Sequence, residues 1–436
     1  MCFDIAAIRQ RLHENPALSL PDDRDVHPLC CPGVRDPGAT AGWQRKLAAA
    51  VLLAFVVMAA GSAFGETFFD TYDRAKVANS YLNTWQAAEG VALNWTGDIS
   101  TCNPGTISQA YRTGVLNTIN WARAMAGTGP VQFTEEFNRK ALAGALIMAA
   151  NQQISHFPPQ DWRCWNQDGS AAAHYSNIGL LVPPPSNAFD AAIMDVRDVG
   201  NRDVGHRRIL FNKFATLMGT GHIHAPYQWE MANYSLLYAQ DDDSYTNRPA
   251  RDPIVAWPPP GFIPYQTTFS RWHISLPYFL YSYEQWLNGN PFADATVTMT
   301  ADGVPIPLTV EPYVPGGLGC YHITRSFQFC DKALVWVPYG PDFNYGGVEW
   351  LPPDNWKDYW PKPDHDTHYV VTIHNVKMND GKMYDITYGV TVIDPSAPNP
   401  DAVAPRSLTI TPVAPLPPDA GKAVAPMLEL LLLDKP

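Results

Sequence analysis

Between Ser108 and Gln153 the apolar residues recur with a helical period. Tyr111, Val115, Ile119 and Ala122 fall at i, i+4, i+8 and i+11, and Gly127-Thr128-Gly129-Pro130 ends the run. This pattern predicts an amphipathic helix. A second is predicted from Thr134, a good N-cap followed by Glu135 and Glu136, where the helix dipole favours carboxylates. Its apolar stripe is Phe137, Ala141, Leu142, Ala145, Met148 and Ala149, and Ala143-Gly144-Ala145 leaves room for a neighbouring element. A third helix is predicted over Ala188–Val199, capped by Ser186 or Asn187, burying Phe189, Ile193 and Val196, and stopped by Gly200. Phe214–Gly221 and Ala232–Ala239 read as strands. Helices bracketing strands over 108–240 predict a layered α+β domain.

Beyond residue 262 the period changes to alternation. Thr296-Val297-Thr298-Met299-Thr300 and Ile306-Pro307-Leu308-Thr309-Val310 flank an Asp302-Gly303 turn, and Tyr369–Ile373 and Tyr384–Tyr388 flank Asn379-Asp380-Gly381. Short strands with turn signals predict an all-β, immunoglobulin-like sandwich over 262–395. The proline-rich Trp257-Pro258-Pro259-Pro260-Gly261 is expected to close a linker over 241–261. Residues 66–107 form a lead-in without an assigned role. Residues 396–436, rich in Pro, Ala and Asp, are expected to be a disordered tail, in which the apolar stretch Met427–Leu433 is too short to span a membrane.

The N-terminus adds a targeting signal. Arg45-Lys46 precede the apolar run Leu47–Ala60, and the small residues Ala63 and Gly65 suit cleavage before Glu66, so 45–65 reads as a signal peptide within a leader over 1–65. The run is short for a membrane span, which needs about 20 residues. Four of the seven cysteines, Cys102, Cys164, Cys320 and Cys330, follow that point, which suggests two disulfides in an exported protein. Three pairings remain open, with Cys102–Cys164 and Cys320–Cys330 preferred because each lies within one half. The formal charge of −12 argues against nucleic acid as a partner, since phosphate contacts need clustered Lys and Arg.

The densest chemistry is Val204-Gly205-His206-Arg207-Arg208-Ile209-Leu210. Ser155-His156-Phe157-Pro158 offers a second histidine just past the second helix, and Tyr175-Ser176-Asn177-Ile178-Gly179 offers a polar turn between them. His222 and His224 alternate on a predicted strand, and His365 and His368 lie among aspartates in a proline-bounded loop; packed or solvated histidines explain these pairs better than metal binding does. Trp336, Tyr339, Trp350, Trp356 and Trp360 could stack on a sugar, although core packing is the simpler role. No Gly-x-Ser-x-Gly, His-Glu-x-x-His, phosphate loop or dinucleotide fingerprint occurs.

In order and spacing these segments resemble the CAP superfamily of cysteine-rich secretory, antigen 5 and pathogenesis-related proteins, in its bacterial form. Asn117 to Arg123 resembles the first-helix asparagine and arginine of that family. Ile154-Ser155-His156 resembles its first cleft histidine, Ser176-Asn177-Ile178 its Glu-Asn-Ile segment, and Val204–Arg208 its second cleft histidine. The resemblance covers under a third of the chain. It implies an α-β-α sandwich with a cleft where two histidines and two glutamates can hold a divalent cation. Here Ser176 replaces one glutamate, and Asp198 or, less well, Asp195 stands for the other. Zinc is therefore favoured as the cation, held weakly or not at all by His156, His206 and Asp198, with Ser176, Asn177 and Arg207 lining the cleft. The function implied is a secreted or periplasmic binding module for a small lipid, a peptide or a cell-surface polymer. The alternative is a metal-dependent extracellular hydrolase, disfavoured because Ser176 cannot act as the general base a glutamate would be. Neither the ligand nor the oligomeric state is legible.

Overall fold

The computed structural model describes residues 68–88, 90–181, 202–225, 227–234, 249–276, 290–312, 320–324, 327–330, 332–339, 360–378 and 380–414. They lie within one compact unit, Glu66–Pro436. The lead-in is structured: α1 (Arg74–Ser80), capped by the Asp73 carboxylate on the Lys76 N–H, runs into a π turn over Tyr81–Trp85. α2 (Gln109–Met125) starts where Ser108 Oγ accepts from the Tyr111 N–H, and its predicted stripe of Tyr111, Val115, Ile119 and Ala122 is buried. After β1 (Gln132–Phe133), Thr134 caps α3 (Glu135–Asn151), which ends at Gln152 in the left-handed region. Both helices follow the sequence pattern to within two residues.

The next stretch departs from expectation. The polar turn predicted at Tyr175–Gly179 is a junction: α4 (Gln167–Tyr175), capped by Asn166, passes directly into β2 (Ser176–Leu181). The predicted helix Ala188–Val199, and Asp195 and Asp198 with it, lies outside the described residues. α5 (Gly205–Leu210) is a short helix, followed by β3 (Leu217–Met218), β4 (Gly221–Ala225) and β5 (Tyr227–Tyr234). The strand expected over Phe214–Gly221 is thus broken, and its latter part starts a new one. β2, β5 and β4 form an antiparallel sheet in that order, while β3 pairs in parallel with β1. α3 packs on this sheet so closely that a Cβ on Gly221 would sit 2.2 Å from Leu142 N. The room for close packing comes from the strand glycine as well as from the small residues of the helix.

The proline-rich stretch is strand and core rather than exposed connector: β6 (Val255–Trp257) and β7 (Gly261–Pro264) contain only buried residues. The chain continues with β8 (Trp272–Leu276), β9 (Thr296–Ala301), β10 (Val304–Ile306), β11 (Leu308–Val310), β12 (Cys320–Thr324), β13 (Phe327–Cys330), β14 (Lys332–Pro338), β15 (Thr367–Lys377), β16 (Met383–Ile393) and β17 (Thr409–Pro412). The larger sheet runs β10-β9-β15-β16-β17, with β7 parallel to β16 on the edge it shares with β17; the smaller runs β11-β14-β8-β6. Asp302 and Gly303, at φ 46° and 80°, make the predicted tight turn. Past Pro307 the chain leaves that sheet, and β11 joins the other by pairing with β14. The segment expected to be a disordered tail contains β17, which pairs with β16 and sets Ile410 opposite Ile386.

Apolar packing continues from the helices into these sheets. Trp257, fully buried, lies 6.5 Å from the Trp121 ring of α2, 5.1 Å from Phe211 just past α5, and 6.4 Å from Phe269. Its Nε1 donates to Thr267 O at 3.0 Å, so the indole is satisfied as well as packed. The fold is mixed α+β, and Trp257 of β6 packs against both α2 and the end of α5.

Candidate functional site

His156 stands on the loop after α3. Its Nδ1 lies 2.8 Å from the carbonyl of Ala173 in the last turn of α4. A carbonyl only accepts, so Nδ1 is the donor in this bond. The loop is exposed, with Phe157 at 73% and Ile154 at 49%, yet it is tied down. Cys164 is disulfide-bonded to Cys102, the Arg163 guanidinium donates to Ile99 O and Ser100 O at 3.1 and 2.9 Å, and Trp165 Nε1 donates to Pro158 O at 3.1 Å. The backbone also sets Cys320 opposite Cys330 across β12 and β13.

Two residues beyond Tyr175, Asn177 reaches the other segment: its Nδ2 donates to the backbone carbonyl of His206 at 3.2 Å. The α4–β2 junction therefore touches both histidine segments, one through Ala173 and one through Asn177. A bulge between Ser176 and Asn177 breaks the ladder with β5 at this point. Both side chains are buried, and among the described residues Ser176 Oγ and Asn177 Oδ1 meet no hydrogen-bond partner. Each such group left unmade costs about 1–3 kcal/mol.

The second segment is held from inside. Val204, wholly buried, sits at φ 47° and ψ 44°, the left-handed region that a β-branched residue enters at a cost of about 1–3 kcal/mol. Gly205 follows, then His206, half-buried, then Arg207, which is wholly buried. The guanidinium of Arg207 has buried partners. It donates to Arg271 O at 2.7 Å, lies 3.4 Å from Nδ1 of His273 on β8, and sits 5.7 Å above the Phe269 ring. Burial first, and then the Arg207 and Arg208 charges, hold the His273 pKa well below its ordinary 6.5, so this imidazole is neutral and can accept. Arg208 pairs with Asp203 at 3.7 Å. Arg123 of α2, also wholly buried, ties the loop after its own helix to the end of α5 and the chain beyond by donating to Gly129 O, Leu210 O, Asn212 O and Ala215 O.

The sequence reading missed some of this. Asn117 is exposed, whereas Asn120, one turn on, clamps Val131 by donating from Nδ2 to its carbonyl at 2.9 Å and accepting its N–H on Oδ1 at 2.8 Å. Asn120 lies on the face shared with Arg123, which is the signal that could have found it. Of the competing histidines, His222 is buried with its Nδ1 on the Tyr111 hydroxyl, between α2 and β4, away from the junction. His368 is in β15 rather than a loop and bonds Thr391 Oγ1 at 2.7 Å. His365, 3.0 Å from Asp302, borders a cavity of about 490 Å³ with Lys362, Asp364, Asp366 and Asp394. Arg74 already holds Asp366 and Lys362 holds Asp394, so these carboxylates are engaged in structure. Trp336 and Trp360 are core residues; Trp350 and Trp356 lie outside the described residues.

A cation would need three or four donors around one point. Among the described residues no three His, Cys, Asp or Glu side chains gather in that way. Ser176 brings a neutral hydroxyl where a carboxylate would be wanted, so the described donors do not by themselves fit a metal, and no chemistry is routed through one here.

A mixed α/β unit whose two histidine segments meet one asparagine-bearing strand junction is the architecture expected of a CAP cleft. The model of the family described as CAP, the cysteine-rich secretory protein family, matches residues 116–238. The match places a CAP-like domain over that segment, which is under a third of the chain. No curated protein and no solved structure matches the chain.

Proposed function

We propose that the protein is a secreted CAP-domain binding module whose cleft, bordered by His156, Ser176, Asn177 and His206, takes a small lipid, a peptide or a surface polymer through a hydrogen-bonding group. The observation that carries this reading is the pair of buried oxygens, Ser176 Oγ and Asn177 Oδ1, without a partner among the described residues at the junction that contacts both histidine segments. An unpaired buried acceptor favours an incoming hydroxyl or amide N–H over a bare cation, and the hydroxyl beside it can donate in return. Export is supported by the leader pattern, by the Cys102–Cys164 disulfide and by the family's usual extracellular setting.

The test is saturable binding of defined probes: a fluorescent sterol, phosphatidylcholine vesicles, an unrelated peptide library and soluble glycan fragments. Binding of one class that weakens at least tenfold in Asn177→Leu supports the reading; no saturable probe, or no response to that change, overturns it. The hydrolase alternative is read in the same protein, by metal content and by peptide and ester turnover with and without His206→Ala. Zinc lost on that substitution together with turnover would replace the binding role with an enzymatic one.

A further inference from the structure

The cleft residue His206 is flanked by two features that a binding surface alone does not require: a strained turn on one side and a buried cation on the other. Val204, β-branched and wholly buried, is in the left-handed region, where glycine would sit without cost. Arg207, wholly buried, is fastened to Arg271 O just before β8 and to His273 within it, over the Phe269 ring. His273 is itself stacked on Phe211, the residue that ends α5, at 6.5 Å and 14°. The fork of Arg207 thus grips the same strand that the end of its own helix rests against.

We propose that Arg207 is a positioning residue, and that its clamp on β8 holds the strained Val204–Gly205 turn so that His206 keeps one orientation beside Asn177. The sheets beyond Trp257 are then part of the cleft's framework. A six-residue helix has too few internal hydrogen bonds to hold its own direction. Asn177 holds the backbone carbonyl of His206 from one side, and on the buried side the next residue, Arg207, supplies a planar donor that a lysine would not reproduce.

This inference rests on the cleft reading but is tested without a ligand. Full-length protein labelled at histidine is compared by NMR as wild type, Arg207→Met, Arg207→Lys and Val204→Gly. The expected result is a shifted and broadened His206 imidazole signal in Arg207→Met, a smaller change in Arg207→Lys, and unchanged signals for His156 and His365. Val204→Gly is expected to broaden His206 while thermal stability is kept or raised, an outcome that a merely structural role would not give. Should Arg207→Met fail to fold, His273→Gln and Val204→Gly give the same reading. A His206 signal that stays sharp and unmoved in the folded variants overturns the proposal. A disturbed His206 with no ligand found for the cleft would leave the positioning role standing and sink only the binding function.

Discussion

The two histidine segments of the cleft are anchored in opposite ways. His156 rides an exposed loop fastened from the surface, by a disulfide, by Arg163 and by the Ala173 carbonyl. His206 stands in the first turn of α5, fastened from the core by Arg207 at β8 and by Arg123 at the helix end. The first arrangement depends on covalent and local bonds within its own part of the chain, whereas the second depends on sheets more than sixty residues away. The two sides of one cleft should therefore fail under different insults.

The largest difference should come from Trp257→Ala. Emptying this site removes the ring that packs on Phe211 and Trp121, and large-to-small changes of this kind cost about 3–5 kcal/mol. The loss, read by denaturant unfolding, should disturb the His206 signal before that of His156. If both histidines respond equally, the contrast between the two anchors is wrong.

Replacing Cys102 and Cys164 by serine inverts the experiment. Opening a loop with a sequence separation of 62 should cost about 2–4 kcal/mol. The His156 signal should broaden while that of His206 stays sharp, because Arg163 and Asn151 hold the loop only in part. Equal stability in the double variant and the wild type would mean that the local bonds suffice.

These contrasts were only partly legible in the sequence. α2 and α3 could be read because seventeen residues of periodic burial and a side-chain cap repeat one message several times over. α4 could not: its nine residues carry Gly169, Ser170 and few large apolar groups, and it spends its last turn in a junction with a strand. The motif at His206 was visible as chemistry but not as geometry. Nothing local announces that a valine will take a left-handed backbone or that Arg207 will turn inward, since both depend on β8, far along the chain. The prolines of Trp257–Gly261 suggested a linker because the sequence shows their missing donors and not their burial between two strands.

Acidification tests the buried side alone. His273 is neutral when folded, with its pKa held well below 6.5, while the unfolded chain titrates normally. Above pH 6.5 the two states bind the same number of protons at this site and its stability is intact. As pH falls below 6.5 the unfolded state takes up a proton that the native state refuses, so stability drops by up to about 1.4 kcal/mol per pH unit until the folded pKa is reached. His273→Gln should flatten that slope between pH 6.5 and 5, seen as a smaller change in the denaturation midpoint. A slope that the substitution leaves untouched would assign the acid sensitivity elsewhere.

The smallest expected change in stability is at the junction between the two anchors. Ser176→Ala deletes a buried hydroxyl that has no partner among the described residues, so no hydrogen bond is lost and an unmet desolvation cost is removed. Stability should hold or rise by up to about 1 kcal/mol. If that hydroxyl is kept for a ligand, the same variant should bind the cleft's probe more weakly although it is no less folded. A drop in stability would mean instead that Ser176 already has a partner, such as a trapped water, in the free protein. The junction would then be a satisfied piece of core joining two differently built walls, and Asn177 Oδ1 alone would be left to receive the ligand.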